Sequence, residues 1–291
     1  VPARLQILAS AFLFSTAGAA IKACSLSGVQ IAGVRSGIAA LALLAMMKQA
    51  RGRWSTQATL VGCAYAATMI LFVTANKMTT AANAIFLQAT APLYLLLLAP
   101  LWLGEAVRRR DVFYLGAMAA GMTMFFLGAE RSGTAPAPQT GNALAAMSAL
   151  TWAIAVTGFR RIARDSPGTD VMFRSVVAGN AIAFAVCVPA AWPLAGASAV
   201  DWLILVYLGV FQVGLGYVFL THGVRRIGAL EASLLLLLEN ALNPVWVWLL
   251  HGETPGTWST CGGALIIAAT AIRAWRDAPP RRPATLPVAP A

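Results

Sequence analysis

Long apolar runs, separated by short charged or Gly/Pro-rich stretches, divide the chain. Ten runs lie at approximately 5–23, 29–47, 57–75, 81–103, 112–129, 142–160, 171–190, 202–221, 229–250 and 257–275. A helix that crosses a bilayer needs about 20 mostly apolar residues. The pattern therefore predicts ten membrane-spanning helices. The narrowest division separates the third from the fourth, where only Asn76-Lys77-Met78-Thr79-Thr80 intervenes.

Composition agrees. Of 291 residues, 59% are hydrophobic and 11% charged, whereas a soluble domain carries about 25% charged residues. Too few polar side chains remain to cover a water-soluble globule, and hydrophobicity this high excludes intrinsic disorder. The expected class is an all-α polytopic membrane protein. The first apolar run is already span-length and lacks a small-residue cleavage site, so it reads as a retained helix rather than a cleaved leader. Residues 277–291, with five prolines and two arginines, read as a disordered tail.

The net charge of +11 first suggests nucleic acid. Its distribution argues otherwise. With the N-terminus in the cytoplasm, Arg4, Lys48, Arg51, Arg53, Arg108, Arg109, Arg110, Arg160, Arg161, Arg164, Arg225, Arg226, Arg273, Arg276, Arg281 and Arg282 all fall on the cytoplasmic side. Only Lys77 and Arg131 fall on the other, a sixteen-to-two bias. Lys22, Arg35 and Arg174 remain within or at the ends of spans. This positive-inside distribution places both termini in the cytoplasm and makes the charge a topology signal without a nucleic-acid partner.

The chain also resembles itself. Asn83–Glu105, NAIFLQATAPLYLLLLAPLWLGE, aligns without gaps to Glu231–Glu253, EASLLLLLENALNPVWVWLLHGE. Both close on Gly-Glu, and both carry a central proline at shifted positions. Gly116–Thr123 matches Gly263–Thr270, Arg35-Ser36 matches Arg174-Ser175, and the first and sixth runs both end in basic residues. Five spans is an odd number, so the halves must be inverted. The expected organisation is a first five-helix repeat over 1–130, a linker at 131–141 and a second repeat over 142–276. Inverted repeats are a transporter architecture, because two related halves can exchange conformations around a central site.

Together these residues resemble the EamA-type members of the drug/metabolite transporter superfamily. The likeness is carried by Arg35, the Pro92 to Gly104-Glu105 stretch, Ser148–Ala153, WLILVYLGVFQVGLGYVFLTHGVRRIGALEAS and LENALNPVWVWLLHGE, and runs up to Arg276. There are departures. Phe14-Ser15 stands where the family usually has Trp-Gly, and Asn240 follows Glu239 where proline is common. The superfamily's small multidrug members couple to protons through a glutamate in their first helix. No acid stands in the first span here, so that mechanism does not carry over. In size and layout the chain is similar to bacterial amino-acid exporters of the group. The resemblance implies export of small metabolites across the bacterial inner membrane.

Ionisable groups in hydrocarbon are costly and suggest either pairing or function. Glu239 lies mid-span, with Asn243 and Trp246 on the same face by i+4 and i+3 spacing. It is either an acid held neutral or paired with an arginine, or a cavity acid that binds an amine or a proton. Arg35 reads first as a structural cation and second as a partner for Glu239 or a substrate carboxylate. Arg174 and Lys22 read as interfacial anchors. Gln88, Asn180 and Gln212 lie near span centres, where amides bond either a zwitterion or a neighbouring helix. Tyr65, Tyr94, Trp152, Tyr217 and Trp246 are candidate cavity walls. Trp102, Trp192, Trp202, Trp248 and Trp258 fit an interfacial belt. Pro92 and Pro244 are candidate gating kinks. The four cysteines have no metal-ligand spacing and read as apolar packing residues.

The site residues expected to bind substrate are thus Tyr65, Gln88, Tyr94, Trp152, Asn180, Gln212, Tyr217, Glu239, Asn243 and Trp246, in a cavity lined by spans one, three, four, six, eight and nine. No nucleotide loop, HExxH or nucleophile elbow occurs, so no catalytic residue, metal or cofactor is expected. The leading reading is a monomeric secondary exporter of amino acids, aromatic or apolar, working by alternating access. A proton-coupled antiporter of broad specificity, a membrane-embedded enzyme and a non-transporting scaffold are the alternatives.

Overall fold

In a computed structural model, residues 2–104, 109–127, 132–165, 170–194, 196–224, 226–227 and 229–276 are described. Glu105, Arg108, Arg131, Arg225 and the tail 277–291 lie outside the described residues. Among the described residues no β-strand forms; one isolated bridge joins Ser132 and Ala135.

The helices are α1 Ala3–Ser15, α2 Ala17–Ala23, α3 Gly28–Met46, α4 Thr56–Met78, α5 Ala81–Gln88, α6 Ala91–Leu103 and α7 Arg109–Leu127. They continue with α8 Pro138–Asp165, α9 Val171–Ala191, α10 Ala199–Val206, α11 Gly216–Val224, α12 Ala229–His251 and α13 Thr257–Arg276. A π-helical segment, Tyr207–Leu215, joins α10 to α11. Among the described residues, eight stretches are long and apolar enough to cross a membrane: Ala3–Ala23, Gly28–Met46, Thr56–Met78, Ala81–Leu98, Pro138–Ile162, Val171–Ala191, Ala199–Val224 and Leu234–His251. The fifth run gives a shorter apolar helix, Asp111–Leu127.

Local chemistry sets the element ends. α3 opens on a capping box, in which Ser27 accepts from Gln30 N and the Gln30 side chain accepts from Ser27 N. The narrow division after the third run is real. α4 runs to Met78, and Thr80 caps α5 by accepting from Asn83 N at 3.1 Å. α6 and α12 both stop at left-handed glycines, Gly104 (φ 68°) and Gly252 (φ 64°), a conformation a β-carbon would strain.

Two spans are broken where their sequences suggest one continuous helix. The first breaks at Thr16 between α1 and α2. The fourth breaks at Ala89-Thr90, and Pro92 falls in the first turn of α6, where proline is tolerated. It follows a break between two helices rather than kinking one. Pro244 sits inside the continuous helix α12.

Small residues let helices approach closely, which matters in a bilayer, where no hydrophobic effect drives them together. A β-carbon on Gly179 of α9 would stand 2.7 Å from the Gly62 carbonyl of α4, and one on Gly262 of α13 would stand 2.7 Å from the Gly121 carbonyl of α7. Around these contacts α4 packs on α8 and α9, α3 on α9, α1 on α11 and α12, and α7 on α13.

Candidate functional site

The helices surround a central cavity of about 410 Å³. Its walls combine aromatic rings, aliphatic side chains and a few polar groups. Phe14 of α1 packs edge-on against Tyr217 of α11, with ring centroids 5.4 Å apart. Tyr65 of α4 lies 6.1 Å from Tyr217 and 6.2 Å from Trp152 of α8. One aromatic cluster thus links spans one, three, six and eight.

The polar groups come from other spans. Gln88 arrives from the end of α5 and Gln212 from the π-helical segment. Arg35 comes from α3, and Glu239 with Asn240 from α12. The π-helical geometry of Tyr207–Leu215 changes the rotation of the eighth span and so sets the direction of Gln212; such segments recur at functional sites. A β-carbon on Gly209 would stand 3.0 Å from the Arg35 carbonyl, so this segment lies directly on the helix that carries the arginine.

The electrostatics are unusual. Arg35 is 2% exposed. Its Nη2 donates to the Met69 sulfur at 3.2 Å, and its Nε has no hydrogen-bond partner in the protein. The Tyr65 hydroxyl and Gln212 Oε1 are likewise buried without one. Among the described residues neither Arg35 nor Glu239 forms an ion pair. Tyr217 lines the same cavity as both.

The sequence-predicted residues divide. Tyr65, Gln88, Pro92, Trp152, Gln212, Tyr217, Arg35 and Glu239 line the cavity. Tyr94, Asn180, Asn243 and Trp246 do not. The Tyr94 hydroxyl faces the Met122 sulfur at 3.9 Å. Asn180 donates to the Val176 carbonyl of its own helix at 2.9 Å. Asn243 is fully buried against Gly18, and Trp246 donates to Ser15 Oγ at 2.9 Å. Period alone placed Asn243 and Trp246 beside Glu239, but that face of α12 turns onto α1 and α2.

Spans two and ten also contribute to the walls, through Arg35 and through Ile266, Ile267 and Thr270. Sequence reasoning passed over Phe14, Met69 and Thr270, which carry no polar or charge signal strong enough to stand out in an apolar helix.

Lys22 departs furthest from expectation. It is no interfacial anchor. Its side chain is 6% exposed and lies 3.5 Å from Glu253, itself 3% exposed. Cys24 beside it is buried, and burial pushes its thiol up to about 11, consistent with a neutral packing residue. Among the described residues no cluster of His, Cys, Asp and Glu could hold a metal.

Comparison with known proteins agrees with this picture. A model of the EamA-like transporter family matches residues 2–127 and again 139–274. The chain is similar to the pseudopaline exporter CntI of Pseudomonas aeruginosa strain UCBPP-PA14, 26% identical over 276 residues, 91% of this chain and 93% of that protein. The same exporter from strain PAO1 matches equally. A solved structure described as "Crystal structure of protein" superposes with a TM-score of 0.61 at 22% identity, over 94% of this chain and 98% of the other.

Proposed function

Starting from the EamA-like transporter family, to which this chain belongs, we propose that it exports small amphoteric metabolites, foremost aromatic or apolar amino acids, from the cytoplasm by alternating access. Membership makes it a multi-pass membrane transporter rather than an enzyme. The observation that carries the reading is the cavity itself, which joins an aromatic wall to polar groups. The aromatic rings accept an apolar side chain, Gln88 and Gln212 offer neutral hydrogen bonds, and Glu239 accepts an ammonium group.

The proposed architecture is ten membrane helices in two inverted five-helix repeats, 1–130 and 142–276. Three observations support it. The family model matches twice, over nearly these ranges. Gly104 and Gly252 end the fourth and ninth spans in the same backbone conformation. Packing also survives exchange of the halves: α4 on α8 corresponds to α11 on α1, α5 and α6 on α8 to α12 on α2 and α1, and α4 on α9 to the π-helical segment on α3. We further propose that it sits in a bacterial inner membrane as a monomer, with both termini cytoplasmic, as the positive-inside bias suggests.

In size and layout it is similar to the bacterial aromatic amino-acid exporter YddG, whereas its curated relatives are named for pseudopaline. A competition screen in proteoliposomes with amino acids, sugars and cationic drugs tests the amino-acid reading. Inhibition by aromatic amino acids is expected, with Trp152→Ala and Tyr217→Ala at least tenfold less active yet folded. No inhibition by any amino acid overturns the substrate; full activity in both variants removes the aromatic wall.

Proton-coupled antiport is a second reading, favoured by an acid, Glu239, that lines the cavity without an ion-pair partner among the described residues. Efflux from loaded liposomes is expected to proceed without an imposed proton gradient. A strict requirement for one, lost in Glu239→Gln, establishes antiport instead.

A further inference from the structure

An arginine stays charged, and its planar guanidinium carries five N–H donors. Arg35 is almost fully buried on a cavity wall, yet it donates to a thioether, a weak acceptor. Its Nε is unpaired, and among the described residues it forms no ion pair. A buried cation without a counter-ion is expensive, so an arginine kept this way suits an anion that arrives from outside the protein.

We propose that Arg35 is the anion-recognition group of the cavity, binding a substrate carboxylate while Glu239 faces the substrate's ammonium group. This rests on the transport reading above and deepens it. A carboxylate fits the guanidinium bidentately. A simple organic cation satisfies Glu239 but leaves Arg35 uncompensated and repelling it, so selectivity against cationic drugs follows from the same residue.

The test uses three solutes with one ring and different charges: phenylalanine, phenethylamine and 3-phenylpropionate. Transport into proteoliposomes is read beside direct binding by tryptophan fluorescence. The protein is expected to bind phenylalanine at least tenfold more tightly than phenethylamine. Arg35→Gln abolishes that preference, and Arg35→Lys, which keeps the charge, retains part of it. Binding of phenylalanine and phenylpropionate that depends on Arg35, without transport of either, sustains this inference and overturns the amino-acid exporter. An unchanged preference in Arg35→Gln, or no binding of either carboxylate by the wild-type protein, overturns the inference.

A separate set of contacts lies at one end of the cavity. Lys22, in the last turn of α2, pairs with Glu253, just beyond α12, inside the protein. Lys22 Nζ also donates to the Thr79 carbonyl at 2.7 Å and to the Thr134 carbonyl. Glu253 Oε1 accepts from Ala81 N–H, at the start of α5, at 2.7 Å. His251 Nε2 contacts the Ala19 carbonyl at 2.9 Å. One ion pair therefore ties the ends of spans one, three, four and nine and the segment leading into α8. At this end α2 packs on α4 and α5. Among the described residues α8 has no comparable packing on α11 or α12, the corresponding pairs in the other half.

We infer that Lys22–Glu253 is a charge latch holding this end of the cavity shut. An ionic latch suits a gate. Its Coulomb attraction is nearly balanced by the desolvation of the two charges, so water entering the open state replaces it at little net cost. Removing one partner strands the other charge and favours the hydrated, open state.

The test places a cysteine at the cavity-lining Ala89 in a background without native cysteines and measures labelling by a membrane-impermeant thiol reagent from each side. Glu253→Gln and Lys22→Met are each expected to label at least tenfold faster from the Lys22 side and more slowly from the Arg4 side, and the double variant, which strands no charge, to label more slowly from the Lys22 side than either single variant. Rates within twofold of the parent in both single variants overturn the latch. A rise from both sides, the mark of a loosened fold, overturns it equally.

Discussion

Single residues set how closely the helices approach. Gly179 and Gly62 bring the α9 and α4 backbones together beside Tyr65, where a β-carbon on Gly179 would meet the tyrosine ring at 2.7 Å. Gly179→Ala is therefore expected to cost about 1–3 kcal/mol as overpacking and to slow transport by displacing Tyr65. A β-carbon on Gly116 of α7 would meet nothing within 4 Å, so Gly116→Ala is expected to be neutral or to stabilise by up to about 1 kcal/mol. Thermal unfolding in detergent with a parallel flux assay checks both; equal behaviour of the two variants rejects the close-approach account.

At the scale of elements, the interruptions matter more than the helices. Breaks at Thr16 and Ala89-Thr90 and the π-helical segment at Tyr207–Leu215 all lie beside the cavity. Each frees backbone groups that a regular helix would satisfy internally, which a membrane protein tolerates only inside the protein or along a cavity. Thr16 Oγ1 lies 2.8 Å from the Tyr207 hydroxyl, joining two of these irregular points. The starts of α3, α4, α5 and α10 are instead capped by side chains. Thr80→Ala removes the side-chain cap of α5 and is expected to lower stability by about 1 kcal/mol, read as a lower Tm. An unchanged Tm shows that the Glu253 contact to Ala81 N–H holds the α5 start without it. Asp201 fixes the start of α10 more strongly, accepting from the backbone N–H and hydroxyl of both Ser25 and Ser198 at 2.6–2.9 Å, and so tethers the eighth span to the loop before α3.

For the whole molecule, the sixteen-to-two distribution of basic residues predicts orientation. A fluorescent protein fused after residue 276 is expected to fluoresce, and alkaline phosphatase fused there to be inactive, because that end faces the cytoplasm. The reverse result inverts the topology and exchanges the sides assigned to the latch. The main helix contacts around the cavity exchange between the halves, but among the described residues α2 on α4 and α5, α3 on α4 and α5 on α13 have no counterparts of comparable extent. Differences between the halves are expected of a transporter working by alternating access when one end is shut.

The sequence by itself determined the class, the approximate spans, the expected orientation and the residues whose burial needs explaining. Transfer to lipid is governed by composition and length, and charge bias acts on each loop locally, so both are legible one segment at a time. It also marked Arg35 and Glu239, because a charge inside an apolar run is conspicuous without any structure. Only the tertiary structure decided what surrounds them. Helical period told that Glu239, Asn243 and Trp246 share a face; it did not tell that the face divides, Glu239 into the cavity and the other two onto α1 and α2. The pairing of Lys22 with Glu253, 231 positions apart by their numbers, was equally hidden. A cation at the end of an apolar run looks the same whether it reaches lipid headgroups or a carboxylate from the far end of the chain, and only packing brings those two ends together.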